Sequence, residues 1–207
     1  TSYIYCTLPN PSLTADFSLS PHRPTYSAAP YAPTSFTWTV TGTGVTGSDY
    51  AFVSGTTSSS QFPIIQFTSY KDYTITVTVN CSGSNSSTYT ISVREIPVLT
   101  APTAQSICSE SAFTSVVLSA NLNGTTFAWT AAATNSITGF TTPGSGGTIN
   151  GVTLTNPTNT SGTVTYVITP TLATCNGATQ NFVVTVNPKP KIANATRVIC
   201  SGETFTF

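Results

Sequence analysis

Tyr73-Thr74-Ile75-Thr76-Val77-Thr78-Val79-Asn80-Cys81 alternates apolar and mostly hydroxyl-bearing side chains. A period of two places Tyr73, Ile75, Val77, Val79 and Cys81 on one face of a β-strand and Thr74, Thr76 and Thr78 on the other. A strand that is apolar on one side only belongs to an antiparallel sheet with core on one face and water on the other. Phe36, Trp38 and Val40 alternate in the same way with Thr37, Thr39 and Thr41, and so do Tyr89, Ile91 and Val93, and Phe182, Val184 and Val186. Met is absent, and 14 Gly and 14 Pro punctuate the chain. Turn signals at roughly every 8 to 12 residues between β-branched runs predict an all-β protein.

The chain also matches itself. Phe36-Thr37-Trp38-Thr39 recurs as Phe127-Ala128-Trp129-Thr130. Tyr73-Thr74-Ile75-Thr76 with Cys81-Ser82-Gly83 recurs as Tyr166-Val167-Ile168-Thr169 with Cys175-Asn176-Gly177. Val93 with Pro97 recurs as Val186 with Pro190, and Ile107-Cys108-Ser109 as Ile199-Cys200-Ser201. Matches in one order at nearly one offset, 91 to 94 residues, predict a tandem array with a period of about 92 residues. The expected units are 1–97 and 98–190, with 191–207 the truncated start of a third. Units of ~90 residues with about seven short strands suggest immunoglobulin-like antiparallel β-sandwiches.

Composition narrows the functional classes. Charged residues make up 6% of the 207, while Thr and Ser number 43 and 26. Hydroxyls replace Lys and Glu on the surface, and the net charge of zero leaves no electrostatic footprint for nucleic acid or an anionic membrane. With 39% hydrophobic and 11% aromatic residues the chain has enough apolar surface to fold. No apolar run approaches the ~18–20 residues of a membrane span and no basic-then-apolar leader opens the chain, so it reads as a soluble segment of something longer.

The five cysteines, Cys6, Cys81, Cys108, Cys175 and Cys200, form no CxxC pair. With one histidine in the chain, a zinc site has almost no ligands to draw on. That residue, His22, sits in Pro21-His22-Arg23-Pro24, which reads as an extended surface turn and leaves a catalytic thiol without a base. An oxidising compartment with disulfides Cys6–Cys81 and Cys108–Cys175 is the simpler account. Cys200 is then the first cysteine of a third unit, unpaired because its partner lies beyond Phe207.

Trp38 and Trp129 occupy matched inward positions and are expected in the core, against the alternative of a sugar-stacking platform. Tyr73 and Tyr166, matched at strand starts, are expected to pack in the core or form tyrosine corners. Tyr26 and Tyr31 lie in a Pro-rich insertion spanning 21–33, and with Tyr50 they form the candidate ligand surface. Asp16, Asp49, Asp72, Glu95, Glu110 and Glu203 do not cluster, which offers no acid/base pair and would leave a calcium site to draw mostly on carbonyls. Gly139 to Gly147 lacks the Lys-Ser/Thr of a phosphate cradle. Asn-x-Ser/Thr sequons stand at Asn85, Asn123, Asn159 and Asn194. No catalytic residue, metal or cofactor is expected.

The motifs Ile199-Cys200-Ser201-Gly202-Glu203-Thr204-Phe205 and Ile107-Cys108-Ser109-Glu110-Ser111-Ala112-Phe113, Phe-x-Trp-Thr, and Val184-Thr185-Val186-Asn187-Pro188-Lys189-Pro190 resemble a known family. They are similar to the PKD-like or Ig-like repeats of giant Bacteroidetes cell-surface adhesins, the family of the gliding-motility adhesin SprB. Trp38 and Trp129 are each followed by Thr in place of the PKD Trp-Asp signature. The resemblance implies an extracellular, tandem-repeat filament, exported through the outer membrane by type IX secretion and serving cell adhesion or gliding motility. It implies neighbouring repeats as partners, with external surfaces or polysaccharides beyond them, and no membrane insertion. A carbohydrate-binding module and a spacer of a secreted hydrolase are the alternatives.

Overall fold

The computed structural model describes residues 1–7, 12–24, 33, 35–80, 84–190 and 201. Strands β1 (Ser2–Thr7), β2 (Leu13–Asp16), β3 (Ser35–Thr41), β4 (Tyr50–Val53), β5 (Ile64–Phe67), β6 (Asp72–Asn80) and β7 (Ser84–Glu95) build a first sandwich. One sheet has the order β1-β7-β6-β3 and the facing sheet the order β2-β5-β4. The alternation read from Tyr73 to Val79 becomes burial: Tyr73, Ile75 and Val77 are fully enclosed while the threonines between them are half-buried. In β3, Trp38 lies opposite Val77 of β6 and Val40 opposite Ile75. From the facing layer, Phe17, just past the end of β2, packs 4.7 Å from the Trp38 ring and Phe67 of β5 4.5 Å from Tyr73, centroid to centroid. Each such side chain taken from water contributes about 1.5–3 kcal/mol, and these interleaved rings are the core.

A second sandwich follows. Its strands are β8 (Gln105–Cys108), β9 (Ser111–Ala112), β10 (Val116–Val117), β11 (Thr126–Ala133), β12 (Gly144–Ser145), β13 (Thr148–Ile149), β14 (Thr153–Leu154), β15 (Gly162–Leu172), β16 (Cys175–Asn176) and β17 (Gln180–Asn187). The large sheet runs β12-β11-β15-β17-β8 with β16 folded back on β15, and the facing layer consists of the short pairs β10–β13 and β14–β9. Leu154, Ile149 and Phe113 from that layer close over Val164, Tyr166, Ile168, Phe182, Val184 and Val186.

The sheets are antiparallel except at one edge of each sandwich. β1 runs parallel to β7, with Tyr5 opposite Val93 and Cys6 opposite Arg94. β8 runs parallel to β17, with Ile107 opposite Val186 and Cys108 opposite Asn187. Both opening strands therefore end, cysteine outward, beside the last residues of their own sandwich.

That geometry overturns the expected disulfides. Cys6 is bonded to Cys175, with 5.5 Å between their Cα atoms, and Cys108 is an exposed free thiol. Cys175 follows the turn from β15, beyond the start of β17, while Cys108 lies at the far end of β17. That strand is 8 residues long, so at about 3.3 Å per residue roughly 25 Å or more separates the two, where a disulfide tolerates ~7 Å. In the first sandwich Asn80 and Ser84 pair at one end of β7 and Cys6 lies at the other. Cys81 and Cys200 are outside the described residues.

His22 is a second correction. Its imidazole is buried instead of standing on a surface turn, edge-on to Tyr3 at 4.7 Å and hydrogen-bonded through Nε2 to the Tyr5 hydroxyl.

Candidate functional site

The chain crosses from one sandwich to the other in a few residues, and every backbone step there is held. β7 ends at Glu95, Pro97 is buried, and Leu99 already belongs to the second core. Between them the Val98 amide donates to Asn121 Oδ1 at 2.6 Å, and the Asn121 amide donates to the Val98 carbonyl at 3.1 Å. Asn121 Nδ2 reaches back to Glu95 Oε1 at 3.2 Å. A Pro flanked by such contacts is a fixed joint instead of a swivel.

The β15–β16 hairpin covers this joint. The Gly177 amide donates to the Pro170 carbonyl at 2.8 Å, and the glycine backbone lies directly against Pro97. Two residues before it, Cys175 is 1% exposed and carries the bond to Cys6. The three positions of Cys175-Asn176-Gly177 thus make one device: the cysteine supplies the covalent tie and the glycine the close approach.

The other half of the tie is held from below. The Tyr3 hydroxyl donates to the Pro21 carbonyl at 2.6 Å, and His22 packs edge-on to Tyr3 and tilted against Tyr5 and Phe17. Burial pushes the His22 pKa below its ordinary 6.5, against a smaller opposing pull from Asp16. A neutral imidazole between two tyrosines fixes β1, and with it Cys6.

The remaining candidates divide. Trp38 is buried, its Nε1 donating to the Ser60 carbonyl at 2.9 Å. Tyr73 forms a corner of the expected kind, its hydroxyl donating to the carbonyls of Ser69 at 2.8 Å and Asp49 at 3.1 Å. The Asp49 carboxylate accepts from Lys71 Nζ at 2.8 Å and from the amide and hydroxyl of Thr46, which hold its pKa far below the usual carboxylate range. Tyr166 is buried, and its burial raises its pKa.

Trp129 differs from its counterpart: it is half-buried and borders a cavity of about 300 Å³ with Thr141, Ser145, Thr148 and Tyr166. Its ring lies on the backbone of Gly144, where a Cβ would stand 2.4 Å from the indole. Of the candidate ligand tyrosines, Tyr50 is half-buried, packed against the core and edge-on to Phe52. Tyr26 and Tyr31 lie outside the described residues. Among the described residues no three of His, Cys, Asp and Glu come close enough to hold a metal ion. No helix among them is long and apolar enough to cross a membrane. Asn123 and Asn159 of the sequons are exposed; Asn194 and the Asn85 side chain are outside the description.

Sequence reasoning passed over Gly177, Asn121 and Asn156. The recurrence of glycine two residues after cysteine was the signal for the first. Asn156 is buried, donates to the Thr160 and Val186 carbonyls at 2.9 Å each, and accepts from Thr158.

Residues 105–190 match the family model described as the PKD-like domain. No curated protein matches the chain. Among solved structures, a variant of three consecutive titin immunoglobulin domains superposes with a TM-score of 0.44 at 12% identity, covering 91% of this chain and 62% of that one. The chain therefore spans less than two thirds of that titin fragment. Fibronectin(III)-like modules of CbhA from Clostridium thermocellum give 0.36 at 7% identity with 95% of each chain covered. The human desmocollin-1 ectodomain gives 0.29 at 10% identity, covering 74% of this chain and 33% of that one. Residues 105–190 are similar to the PKD-like domain, in an all-β chain built of immunoglobulin-like sandwiches.

Proposed function

We propose that this chain is a structural segment of a large extracellular, filamentous cell-surface adhesin, whose sandwiches act as stalk for surface attachment or gliding. The repeating units on this reading are 1–97 and 98–190, with 191–207 opening another, and they carry out no catalysis. The Cys6–Cys175 bond carries the reading, because it fastens one sandwich to the next instead of stapling either one internally. A disulfide of this kind persists in oxidising compartments, outside the cytosol. The uncharged, Thr-rich surface and the pinned Pro97 suit a spacer that must stay extended without attracting unrelated molecules. Export through the outer membrane by type IX secretion belongs to the same proposal. Small-angle X-ray scattering tests it: the oxidised fragment should behave as one elongated particle of fixed length. A broad spread of lengths, equal in the oxidised fragment and in Cys6→Ser/Cys175→Ser, would overturn the stalk.

The groove beside Trp129 favours a second reading, carbohydrate binding, since a half-exposed indole next to hydroxyl groups is what a sugar ring stacks on. A polysaccharide array probed with the fragment and with Trp129→Ala decides it. Binding by the first and not the second supports recognition, and silence from both leaves these units as spacers.

A further inference from the structure

Cys108 stands in its sandwich as Cys6 stands in the first. Each follows a core-facing residue on the opening strand, Tyr5 or Ile107, that pairs with the last valine of the closing strand, Val93 or Val186. Each cysteine then sits one step further along, opposite Arg94 or Asn187, on the outward side. Beyond these positions the chain reads Glu95-Ile96-Pro97 in one case and Pro188-Lys189-Pro190 in the other. Cys6 at this position is taken by the hairpin cysteine of the sandwich that follows it, and the glycine of that hairpin rests on Pro97. Cys108 is free and exposed.

We infer that Cys108 forms a disulfide with the cysteine of a Cys-x-Gly β-hairpin in the sandwich that follows it along the chain, making Cys6–Cys175 one rung of a covalent ladder between successive units. The inference rests on the tandem arrangement proposed above. Two observations meet at this thiol: the identical register of the two parallel strand pairs, and the bond already made at the first of them. The hairpin glycine of the next unit would lie on Pro190 as Gly177 lies on Pro97.

The chemistry is thiol–disulfide exchange with a disulfide-bearing protein oxidant. The thiolate of Cys108 attacks one sulfur of that oxidant, breaking its S–S bond and releasing one thiol. The hairpin thiolate then attacks Cys108 sulfur in the mixed disulfide and releases the second. Two protein thiols lose two electrons and two protons, and the oxidant leaves as a dithiol carrying both.

The test uses the parent chain as isolated, alkylated before unfolding and digested without reduction. Mass spectrometry should find the Cys108 peptide joined to the peptide that holds the first Cys-x-Gly after Cys200. Cys108 recovered alkylated, or bonded to Cys81, Cys200 or a different chain, overturns the inference. A second measurement covers a parent that resists digestion: in Cys108→Ser the number of alkylatable thiols after unfolding should rise by one, because a hairpin thiol is released. A fall by one means that Cys108 was free and sinks the ladder. Scattering from the oxidised fragment does not involve Cys108, so the stalk reading and the ladder fail separately.

Discussion

The carbonyl oxygen of Pro97 lies 1.9 Å from the place a β-carbon on Gly177 would occupy. Backbone stands on both sides of that contact, so no side chain can swing aside to make room. The hairpin that carries Cys175 is seated on the inter-sandwich joint by the absence of a single methyl group.

Gly177→Ala should therefore lift the hairpin off Pro97, at a cost of about 1–3 kcal/mol for an overpacked site. The expected outcome is a lower melting temperature together with a fraction of molecules in which Cys6 and Cys175 react with an alkylating reagent. Unchanged thiol protection would mean that the hairpin has somewhere else to go.

Each sandwich has its own core, and the disulfide, the Asn121 contacts and the seating of Gly177 on Pro97 couple them. Calorimetry of the oxidised fragment should show one transition, and Cys6→Ser/Cys175→Ser should separate it into two. One transition in both would assign the coupling to the noncovalent contacts of Glu95, Pro97, Val98, Asn121 and Gly177.

Acid should loosen β1 before it attacks the rest. Burial lowers the His22 pKa below 6.5, so the unfolded chain takes up a proton at higher pH than the folded one does. Stability contributed by the neutral imidazole is complete above about pH 6.5 and is lost as the pH falls from there towards the folded value. The depressed carboxylates Asp16, Asp49 and Asp72 contribute stability above their ordinary 3.8, and lose it only at lower pH. Urea midpoints between pH 7.5 and 5 should slope downwards in the native chain and lie flat in His22→Gln; parallel slopes would exclude His22 as the cause.

Asn156 has its amide nitrogen and oxygen both satisfied inside the second sandwich. Asn156→Ala strands the Val186 carbonyl and the Thr158 amide, and should cost about 2–3 kcal/mol. Denaturant unfolding in the Cys6→Ser/Cys175→Ser background, where the two sandwiches unfold separately, measures it, and the transition of the first sandwich should stay in place.

How much of this was legible in the chain depends on distance along it. The run from Tyr73 to Val79 announces its strand because a period of two is a local property, and the burial of Tyr73, Ile75 and Val77 follows. The sandwich architecture was readable from several such runs. The partner of Cys6 was not, because it depends on a parallel edge strand that carries the cysteine to the far end of its own sheet. Trp38 and Trp129 share a motif but not a fate: Phe17 covers the first, while the second faces short strand pairs and the bare backbone of Gly144. His22 looked exposed because its neighbours in sequence are prolines, whereas its neighbours in space, Tyr3 and Tyr5, come from a strand that local reading does not place there.

The closing of a loop 169 residues apart also changes what tension does to the molecule. A pull applied at the two ends enters through β1, crosses from sulfur to sulfur, and leaves through the hairpin and β17. Everything between Cys6 and Cys175 hangs beside that route as slack, including the whole of the first core. At ~3.3–3.6 Å per residue the bypassed chain amounts to roughly 56–61 nm of contour that cannot be paid out while the bond is intact. The stretched elements are β1, the sulfur bridge and β17, and the sandwiches around them serve as their housing.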